Sequence, residues 1–232
     1  MTELDRRTLA ALIDHTVLDP LATAADVRRL CDEAVEWGIG HVCVSPSRVA
    51  VAAQHLVSLG ASGAVGVASV VGFPSGAHRI ETKAFEAAEA VRDGAAEIDL
   101  VVSLGAIADG DWAHVAREVG AVRAAAEAAT ATAGIALKAI LETAAIGSDR
   151  LEPAAEAALA GGAGWLKTST GFHPAGGATV AAVAALRRVA AGRALVKAAG
   201  GIRSVADAKA MVDAGAARLG TSGGVALLRS LE

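Results

Sequence analysis

Lysines occur inside three of the chain's apolar, strand-like segments. Lys138 lies in IALKAILE, Lys167 in GWLKTSTGF and Lys197 in ALVKAAG. A lysine side chain is rarely fully buried, because its charge is costly to remove from water. Two acids occur in segments of the same kind, Asp14 in LIDHTVL and Asp99 in EIDLVVS. These five residues are the first candidates for chemistry.

Lysines buried beside carboxylates suit nucleophilic amine chemistry. A lysine attacks a carbonyl only as the neutral amine, and its ordinary pKa of about 10.4 leaves little neutral amine at pH 7. Desolvation and a second cation nearby both lower that pKa, which is one way to activate a Schiff-base lysine. We expect Lys167 to be the nucleophile, Lys197 the nearby cation and Asp99 a group that moves protons. A structural ion-pair network, which also perturbs pKa values, is the alternative.

Eight short apolar runs alternate with longer helical segments and must position these residues. The predicted strands are 12–18, 40–45, 65–73, 97–103, 135–142, 164–169, 194–200 and 217–222. Apolar strands covered on both faces are typical of parallel sheets. Eight β/α units predict an α/β fold, a single-domain (β/α)8 TIM barrel over residues 1–232 with a short N-terminal helix. A doubly wound open sheet also alternates in this way and is the alternative.

Alternation along each strand predicts which side chains face the barrel axis. It sends Asp14, Asp99, Lys138, Lys167 and Lys197 into one interior, near the C-terminal ends of the strands, where barrel enzymes keep their sites. We expect both acids to pair preferentially with Lys197. The same count places further side chains inward, namely Leu12, Thr16, Glu97, Val101, Ala136, Ile140, Trp165, Ser169, Leu195 and Ala199.

Helix signals flank the predicted strands. Thr23 and Ser204 each precede an Asp by three residues, Asp26 and Asp207, which predicts capping boxes at two helix starts. Gly38 follows the first of these helices, as a C-terminal glycine does.

Three glycine-bearing stretches follow late strands and predict a phosphate site. They are STGF (169–172), AGGIR (199–203) and GTSGG (220–224). In barrels, the loops after strands 7 and 8 frequently bind phosphate through backbone N–H groups. The candidate phosphate- and substrate-binding residues are Thr168, Thr170, Gly171, Gly200, Gly201, Gly220, Ser222 and Gly223.

Composition excludes several classes of function. The formal net charge is -4 without a basic block, so no nucleic-acid surface is expected. No apolar run reaches the roughly 18 to 20 residues of a membrane-spanning helix. With two cysteines, a disulfide framework is not indicated and a reducing, cytoplasmic compartment fits. The six histidines are scattered without metal-ligand spacing, so no metal site is predicted.

On these motifs the chain resembles the deoxyribose-phosphate aldolases, class I aldolases of the DeoC type. The matching stretches cover nearly the whole chain, namely IDHTVLDP, HVCVSPSRV, VVGFPSGAHRIETKAFEAAEAVRDGAAEIDLVV, LKAILET, WLKTSTGF, VKAAGGIR and GTSGG. The resemblance implies that Lys167 forms the Schiff base, Lys197 lowers its pKa and Asp99 transfers protons. Asp14 matches an acid that helps to order the lysines, and Lys138 matches a further inward lysine.

The resemblance also implies a reaction. Family members reversibly cleave 2-deoxy-D-ribose 5-phosphate to D-glyceraldehyde 3-phosphate and acetaldehyde, in deoxyribonucleotide catabolism, without a metal or organic cofactor. The expected partners are a sugar phosphate, aldehydes and further copies of the chain in a dimer or tetramer. Two alternatives stay open. One is a related Schiff-base aldolase with a different or non-phosphorylated substrate, and the other is a non-catalytic barrel that binds a sugar phosphate.

Three features depart from the family pattern. Many relatives have Asn at the position of Ser103, so an amide contact in the site is lost or is replaced by a shorter hydroxyl. Relatives often read GTSSG, so Gly223 removes one hydroxyl from the predicted phosphate site. Some members end in a tyrosine that reaches into the site, and this chain contains no tyrosine.

Overall fold

The computed structural model describes residues 4–131 and 134–231, in which strands and helices alternate. The strands are β1 Ile13–Val17, β2 His41–Val44, β3 Gly66–Val71, β4 Glu97–Val101, β5 Ala136–Ile140, β6 Trp165–Lys167, β7 Leu195–Ala199 and β8 Arg218–Thr221. The helices are α1 Arg6–Leu12, α2 Ala24–Trp37, α3 Val49–Ser58, α4 Ile80–Arg92, α5 Leu104–Asp109, α6 Trp112–Ala128, α7 Thr143–Ile146, α8 Ser148–Ala160, α9 Val180–Ala190, α10 Val205–Asp213 and α11 Gly224–Arg229. A 3₁₀ turn, Pro46–Arg48, precedes α3.

The strands close into a parallel barrel. Each strand pairs with the next along the chain, and β8 pairs with β1. This topology confirms the (β/α)8 barrel and excludes the open sheet. The helix α1 precedes β1, as expected. No helix in the described part of the chain is long and apolar enough to cross a membrane.

Each strand lies within its predicted run but is shorter. β6, for example, keeps only Trp165–Lys167 of the run 164–169. The inward placement of Leu12 on the first strand is wrong, because Leu12 is the last residue of α1 and the backbone becomes extended at Ile13. The apolar run continues from helix into strand without a Gly or Pro, so the sequence carries no boundary signal there.

Helix ends follow the predicted chemistry. The side chains of Thr23 and Asp26 cap α2 reciprocally, and Ser204 and Asp207 do the same for α10. Gly38 ends α2 in the left-handed conformation, with a φ of 66°. These caps fix where two helices begin relative to the strands before them.

Alternation divides each strand between two environments. On β4, Ile98 and Leu100 face outward and join the main apolar core that the helices cover, whereas the intervening Asp99 faces the axis. On β5, Leu137 and Ala139 take the outward positions around Lys138. The helices therefore bury an aliphatic layer, and the charged residues are left for the interior of the barrel.

Candidate active site

Five neighbouring or facing strands bring the predicted ionisable residues together. Asp14 comes from β1, Asp99 from β4, Lys138 from β5, Lys167 from β6 and Lys197 from β7. Asp99 lies opposite Lys138 in the sheet register, and Lys167 lies opposite Lys197. The most exposed of the five, Lys167, has 3% of its surface accessible. The barrel thus holds five ionisable groups almost entirely out of water.

Asp99 is shared by three lysines. Its Oδ1 accepts a hydrogen bond from Lys138 Nζ at 2.8 Å. Its Oδ2 accepts from both Lys167 Nζ and Lys197 Nζ, each at 2.7 Å. The expected preference of Asp99 for Lys197 is therefore wrong, since lysines on three consecutive strands all reach this carboxylate. Asp14 does pair with Lys197, through its Oδ2.

A second layer of ionisable groups lies beneath this cluster. Glu97, His41 and Arg218 are each the first residue of their strand, so they lie at the N-terminal end of the barrel. Arg218 Nη1 donates to Asp14 Oδ1 at 2.6 Å and to Glu97 Oε2 at 3.3 Å. The same Glu97 oxygen accepts from Lys138 Nζ at 2.5 Å. His41 Nε2 lies 3.1 Å from Glu97 Oε1. The two layers therefore form one connected network.

Sequence analysis did not single out Arg218 as a site residue. The period of two that was applied to five other strands also places Arg218 and Gly220 of ARLGTS on the inward face. The guanidinium carbon of Arg218 lies 5.2 Å from the ring centroid of Trp165, the first residue of β6. The inward count on β8 would thus have found this cation.

The lysines differ in their charge. Burial lowers the pKa of Lys167, and the neighbouring Lys197 lowers that pKa further, which together outweigh the opposing effect of Asp99. Burial also acts to lower the pKa of Lys197, but Asp14 and Asp99 outweigh it and the pKa of Lys197 is raised. Lys138 behaves in the same way, chiefly through Asp99, and its pKa is raised. Lys167 is therefore the lysine of this cluster that loses its proton first.

The acids of the cluster stay ionised. Burial acts to raise the pKa of Asp99, but Lys138, Lys167 and Lys197 together hold it well below its usual range. Burial opposes ionisation of Asp14 too, yet Lys197 and other cations keep the pKa of Asp14 lowered. The cluster therefore combines carboxylates whose pKa values are lowered with two lysines whose pKa values are raised and one lysine, Lys167, whose pKa is lowered.

A pocket of about 500 Å³ opens above Lys167. Of the five described residues Asp14, Asp99, Lys138, Lys167 and Lys197, only Lys167 lines it. The other lining residues are Thr16, Val17, Leu18, Asp19, Pro20, Thr170, Gly171, Phe172, Ala199, Gly200, Gly201, Ile202, Arg203, Gly220, Thr221 and Ser222. The loops after β1, β6, β7 and β8 thus surround the amine of Lys167.

Two members of the predicted phosphate set do not line this pocket. Thr168 is buried, and its Oγ1 donates to Ala199 O at 3.3 Å and accepts from Ala199 N at 3.1 Å. The N–H of Gly223 donates to Thr221 Oγ1 at 3.0 Å. Both groups are used within the protein, which removes the reason to assign them to a ligand.

Glycines let the loops after β6 and β7 meet backbone to backbone. Gly200 has a φ of 84°, and a Cβ there would lie 3.0 Å from the Cα atoms of both Gly171 and Gly177. A side chain at Gly200 would be strained by its backbone conformation and crowded by both neighbours. Gly171, Gly200 and Gly201 therefore line this part of the pocket with backbone atoms.

A buried carboxylate that sequence analysis missed fixes the loop after β6. Glu142 has a left-handed backbone, with a φ of 53°, and is fully buried. Its Oε2 accepts from Thr170 Oγ1 at 2.6 Å, and its Oε1 accepts from Thr170 N at 3.2 Å. Thr170 Oγ1 in turn accepts from Phe172 N at 3.0 Å. Glu142 therefore positions a segment that lines the pocket.

The GFPSG loop, residues 72–76, reaches the rim of the same pocket. The ring of Phe73 packs edge-on against that of pocket-lining Phe172, with centroids 5.0 Å apart. This contact joins the loop after β3 to the loop after β6.

A further buried lysine lies outside the barrel interior. Lys83 on α4 donates from Nζ to Gly76 O at 2.7 Å, to Val101 O at 2.8 Å and to Glu118 Oε1 at 2.5 Å. Glu118 on α6 also accepts from Ser103 N at 2.8 Å. Lys83 and Glu118 are both fully buried. This pair ties the loop after β3 to the end of β4.

Metal ligands are not clustered in the described part of the chain, where no group of three or more His, Cys, Asp or Glu could hold a metal ion.

Comparison with known proteins gives a consistent set of relatives. The model of the DeoC/LacD family aldolases matches residues 8–231. The deoxyribose-phosphate aldolase of Kocuria rhizophila is 47% identical over 229 residues and is covered to 99%, as is this chain. The enzyme of that name from Mycolicibacterium paratuberculosis is 50% identical over 230 residues, with 97% of this chain and 98% of the relative covered.

Solved structures agree with the sequence comparison. The tetrameric deoxyribose phosphate aldolase from Aeropyrum pernix is 35% identical and superposes with a TM-score of 0.87, over 98% of this chain and 94% of that chain. An aldolase described as QR15 is 34% identical with the same TM-score, 0.87, over 98% of this chain and 96% of its own.

Proposed function

The chain belongs to the DeoC/LacD family of aldolases, and on that premise we propose that it reversibly cleaves 2-deoxy-D-ribose 5-phosphate to D-glyceraldehyde 3-phosphate and acetaldehyde through a Schiff base on Lys167. One observation carries this proposal. Lys167, whose pKa is lowered by burial and by Lys197, lies at the base of a pocket surrounded by glycine loops.

Lys167 is suited to nucleophilic attack because its amine makes few hydrogen bonds. Among the described residues its Nζ makes one hydrogen bond, to Asp99 Oδ2 at 2.7 Å. The neutral amine adds to the C1 aldehyde of the open-chain sugar, and loss of water gives a cationic iminium. The iminium withdraws electrons from C2–C3 as this bond breaks.

Asp99 suits the proton transfer. As C2–C3 breaks, the C3 hydroxyl becomes the aldehyde of glyceraldehyde 3-phosphate and must lose its proton. Asp99 Oδ2 lies beside the Lys167 nitrogen and accepts this proton, while the positive iminium becomes a neutral enamine. The step neutralises one cation and one anion together, so it leaves the net charge of the buried site unchanged. Protonation and hydrolysis of the enamine then release acetaldehyde and regenerate Lys167.

Lys197 and Lys138 act as fixed cations in this scheme. Their pKa values are raised, since carboxylates outweigh the effect of burial. Lys197 lowers the pKa of Lys167 through its charge, and Asp14 holds Lys197 in place. Lys138 shares Asp99 from the opposite oxygen and orients that carboxylate.

The 5-phosphate fits the glycine loops. Gly171, Gly200, Gly201, Gly220 and Ser222 line the pocket together with Thr170. We assign these residues to the phosphate site and omit Thr168 and Gly223, whose polar groups are bonded elsewhere. Arg203 lines the same pocket and adds one positive side chain.

Trapping of the Schiff base tests the proposal. Incubation with acetaldehyde and borohydride, followed by peptide mass spectrometry, should place a reduced adduct on Lys167. The control is Lys209→Met, which removes a lysine on α10 that pairs with Asp213 at 2.6 Å. This variant should react like the parent. An adduct-free Lys167 would refute the Schiff-base mechanism and leave a binding-only barrel.

Turnover with and without the 5-phosphate tests the substrate. We expect a much higher kcat/KM for 2-deoxy-D-ribose 5-phosphate than for 2-deoxy-D-ribose. Equal values with an intact Lys167 adduct would favour the alternative, a Schiff-base aldolase for a non-phosphorylated substrate.

The remaining expectations concern assembly and location. The Aeropyrum pernix relative is tetrameric, and we expect this chain to form a dimer or tetramer, which light scattering after size-exclusion chromatography would measure. The single-domain organisation and the cytoplasmic location stay predictions.

A further inference from the structure

We propose that Arg218 is a positioning residue that completes the charge balance of the barrel interior and thereby keeps Lys167 available as a neutral amine. The inference rests on the proposed Schiff-base function. Arg218 does not line the pocket, so its effect must pass through other residues. Three observations carry it, namely the charges of the interior, the hydrogen bonds that connect Arg218 to Lys167, and the way in which Arg218 is held.

The first observation is the set of ionisable groups that face the interior from each strand. In the described barrel these are Asp14, His41, Cys43, Glu97, Asp99, Lys138, Lys167, Lys197 and Arg218, with none from β3. Burial raises the pKa of the Cys43 thiol to about 11, which leaves it neutral. His41, at the N-terminal end, adds positive charge whenever it is protonated.

The remaining groups balance only when Lys167 is neutral. Three carboxylates, Asp14, Asp99 and Glu97, face three cations, Lys138, Lys197 and Arg218. A proton on Lys167 would therefore leave one uncompensated positive charge in a region shielded from water. Uncompensated buried charge is strongly unfavourable. Removal of Arg218 would supply one unmatched negative charge and would make that proton favourable.

The second observation is a continuous path of hydrogen bonds. Arg218 Nη1 holds Asp14 Oδ1 at 2.6 Å, and Asp14 Oδ2 accepts from Lys197. Lys197 Nζ then donates to Asp99 Oδ2 at 2.7 Å, the oxygen that also accepts from Lys167. Arg218 therefore takes part of the negative charge of Asp14. Without Arg218, Lys197 would be drawn toward Asp14, and Asp99 would favour a proton on Lys167.

Glu97 forms a second branch of the path. Its Oε2 accepts from Arg218 Nη1 at 3.3 Å and from Lys138 Nζ at 2.5 Å. Lys138 in turn donates to Asp99 Oδ1 at 2.8 Å. Loss of Arg218 would thus also strengthen the ion pair of Lys138 with Glu97 and weaken the one with Asp99.

The third observation concerns how Arg218 is held. Its guanidinium lies over the Trp165 ring, and 9% of the residue is exposed. A guanidinium keeps its proton in proteins, whereas the charge of a buried lysine depends on its surroundings. The charge of Arg218 therefore does not change with pH. The balance of charges that opposes a proton on Lys167 is maintained over the pH range in which the enzyme would act.

The test is the pH dependence of adduct formation with acetaldehyde and borohydride in four proteins. These are the parent, Arg218→Met, Glu97→Gln and the double variant. The rate rises with pH as Lys167 loses its proton. We expect Arg218→Met to move the rise to higher pH, Glu97→Gln to move it to lower pH, and the double variant to return toward the parent, because it again has equal numbers of both charges.

A charge effect and a merely structural effect give different results. Arg218→Lys keeps a positive charge beside Asp14 and Glu97 without the planar fork, and it should move the profile less than Arg218→Met does. Loss of packing alone would slow all variants without moving their profiles. Repeating the series with His41→Gln tests whether the shifts depend on the imidazole, whose Nε2 lies 3.1 Å from Glu97 Oε1. Opposite shifts that cancel in the double variant are not expected from damage to the fold.

Three outcomes would overturn the inference. They are coincident profiles for the parent and Arg218→Met, equal shifts for Arg218→Met and the double variant, and shifts of Arg218→Met and Glu97→Gln in the same direction. If Arg218→Met does not fold, Glu97→Gln decides alone, and an unmoved profile refutes the charge balance. Failure of the parent to form any adduct would instead refute the proposed function.

Discussion

Two buried lysines in this molecule share several properties and differ in one that matters. Lys167 in the barrel and Lys83 between α4 and the sheet are both removed from water, and each contacts a carboxylate. Burial is the main reason that the pKa of each is lowered. Lys83 nevertheless donates to three acceptors, whereas Lys167 donates to one among the described residues and lines a pocket.

The difference separates a structural lysine from a reactive one. An ammonium group has three hydrogens to donate, and Lys83 uses all three on Gly76 O, Val101 O and Glu118. Loss of a proton from Lys83 would leave at least one of these buried acceptors without a donor. Lys167 has no such commitment, so its nitrogen is free to bond to carbon. Burial and a lowered pKa therefore do not identify the nucleophile, whereas open coordination beside a pocket does.

The largest effect is expected when Lys167 is replaced by methionine, and the same replacement of Lys83 is the comparison. Lys167→Met should reduce kcat on the order of 10⁶-fold, as removal of a covalent nucleophile does, and should abolish the borohydride adduct. Its fold should persist, because Asp99 keeps Lys138 and Lys197 as partners. Lys83→Met should keep the adduct on Lys167 in the folded protein. An active Lys167→Met variant would break the comparison.

The second largest effect is expected on stability, when Lys83 is replaced. Lys83→Met leaves the buried Glu118 carboxylate uncompensated, and removal of one partner of a buried pair costs about 3–5 kcal/mol of the free energy of unfolding. Lys83→Met/Glu118→Met removes the stranded charge and should recover part of this loss. Recovery stays incomplete, because Gly76 O, Val101 O and Ser103 N lose their partners. Urea unfolding of Lys83→Met, Glu118→Met and the double variant measures these losses, and a double variant as unstable as the two single losses added together would contradict the pairing.

Most of the barrel, and the residues that face its axis, can be predicted from the sequence. Alternation along the strands places Lys138, Lys167 and Lys197 inward, because a parallel strand covered by helices must turn alternate side chains to the axis. Apolar runs bounded by caps and glycines give the eight strands. The end of α1 was missed, since Leu12 belongs to an apolar run that continues into β1 without a break.

The remaining features depend on contacts between segments that are distant along the chain. Lys83 and Glu118 are polar residues on two helices, and such residues ordinarily face solvent. Their burial follows from the loop after β3 and the end of β4, which cover them. Glu142 is hidden for a similar reason, because its role depends on a left-handed backbone that favours glycine rather than glutamate. Neither pattern repeats with the period of a helix or strand.

The smallest expected effect compares two threonines of one loop, and it asks whether position relative to the pocket decides function here as it does for the lysines. Thr170 lines the pocket and donates to Glu142, while Thr168 is bonded to the backbone of Ala199 and does not line it. Thr170→Val should lower the free energy of unfolding by about 1.5–3 kcal/mol, because a hydrogen bond to a charged group is lost. Thr168→Val loses hydrogen bonds between neutral groups, and each lost bond should lower the free energy of unfolding by about 0.5–1.5 kcal/mol.

The kinetic consequence of the two threonine changes should differ in kind. Glu142 holds Thr170, and Thr170 Oγ1 accepts from Phe172 N, so its loss loosens a segment that includes Gly171 of the proposed phosphate site. Thr170→Val should therefore raise KM for 2-deoxy-D-ribose 5-phosphate more than it lowers kcat, with a smaller effect on the sugar without phosphate. Thr168→Val keeps the pocket surface and should leave KM near that of the parent. If both variants raise KM equally, the proposed site depends on the stability of the whole loop after β6 and not on the groups that face the pocket.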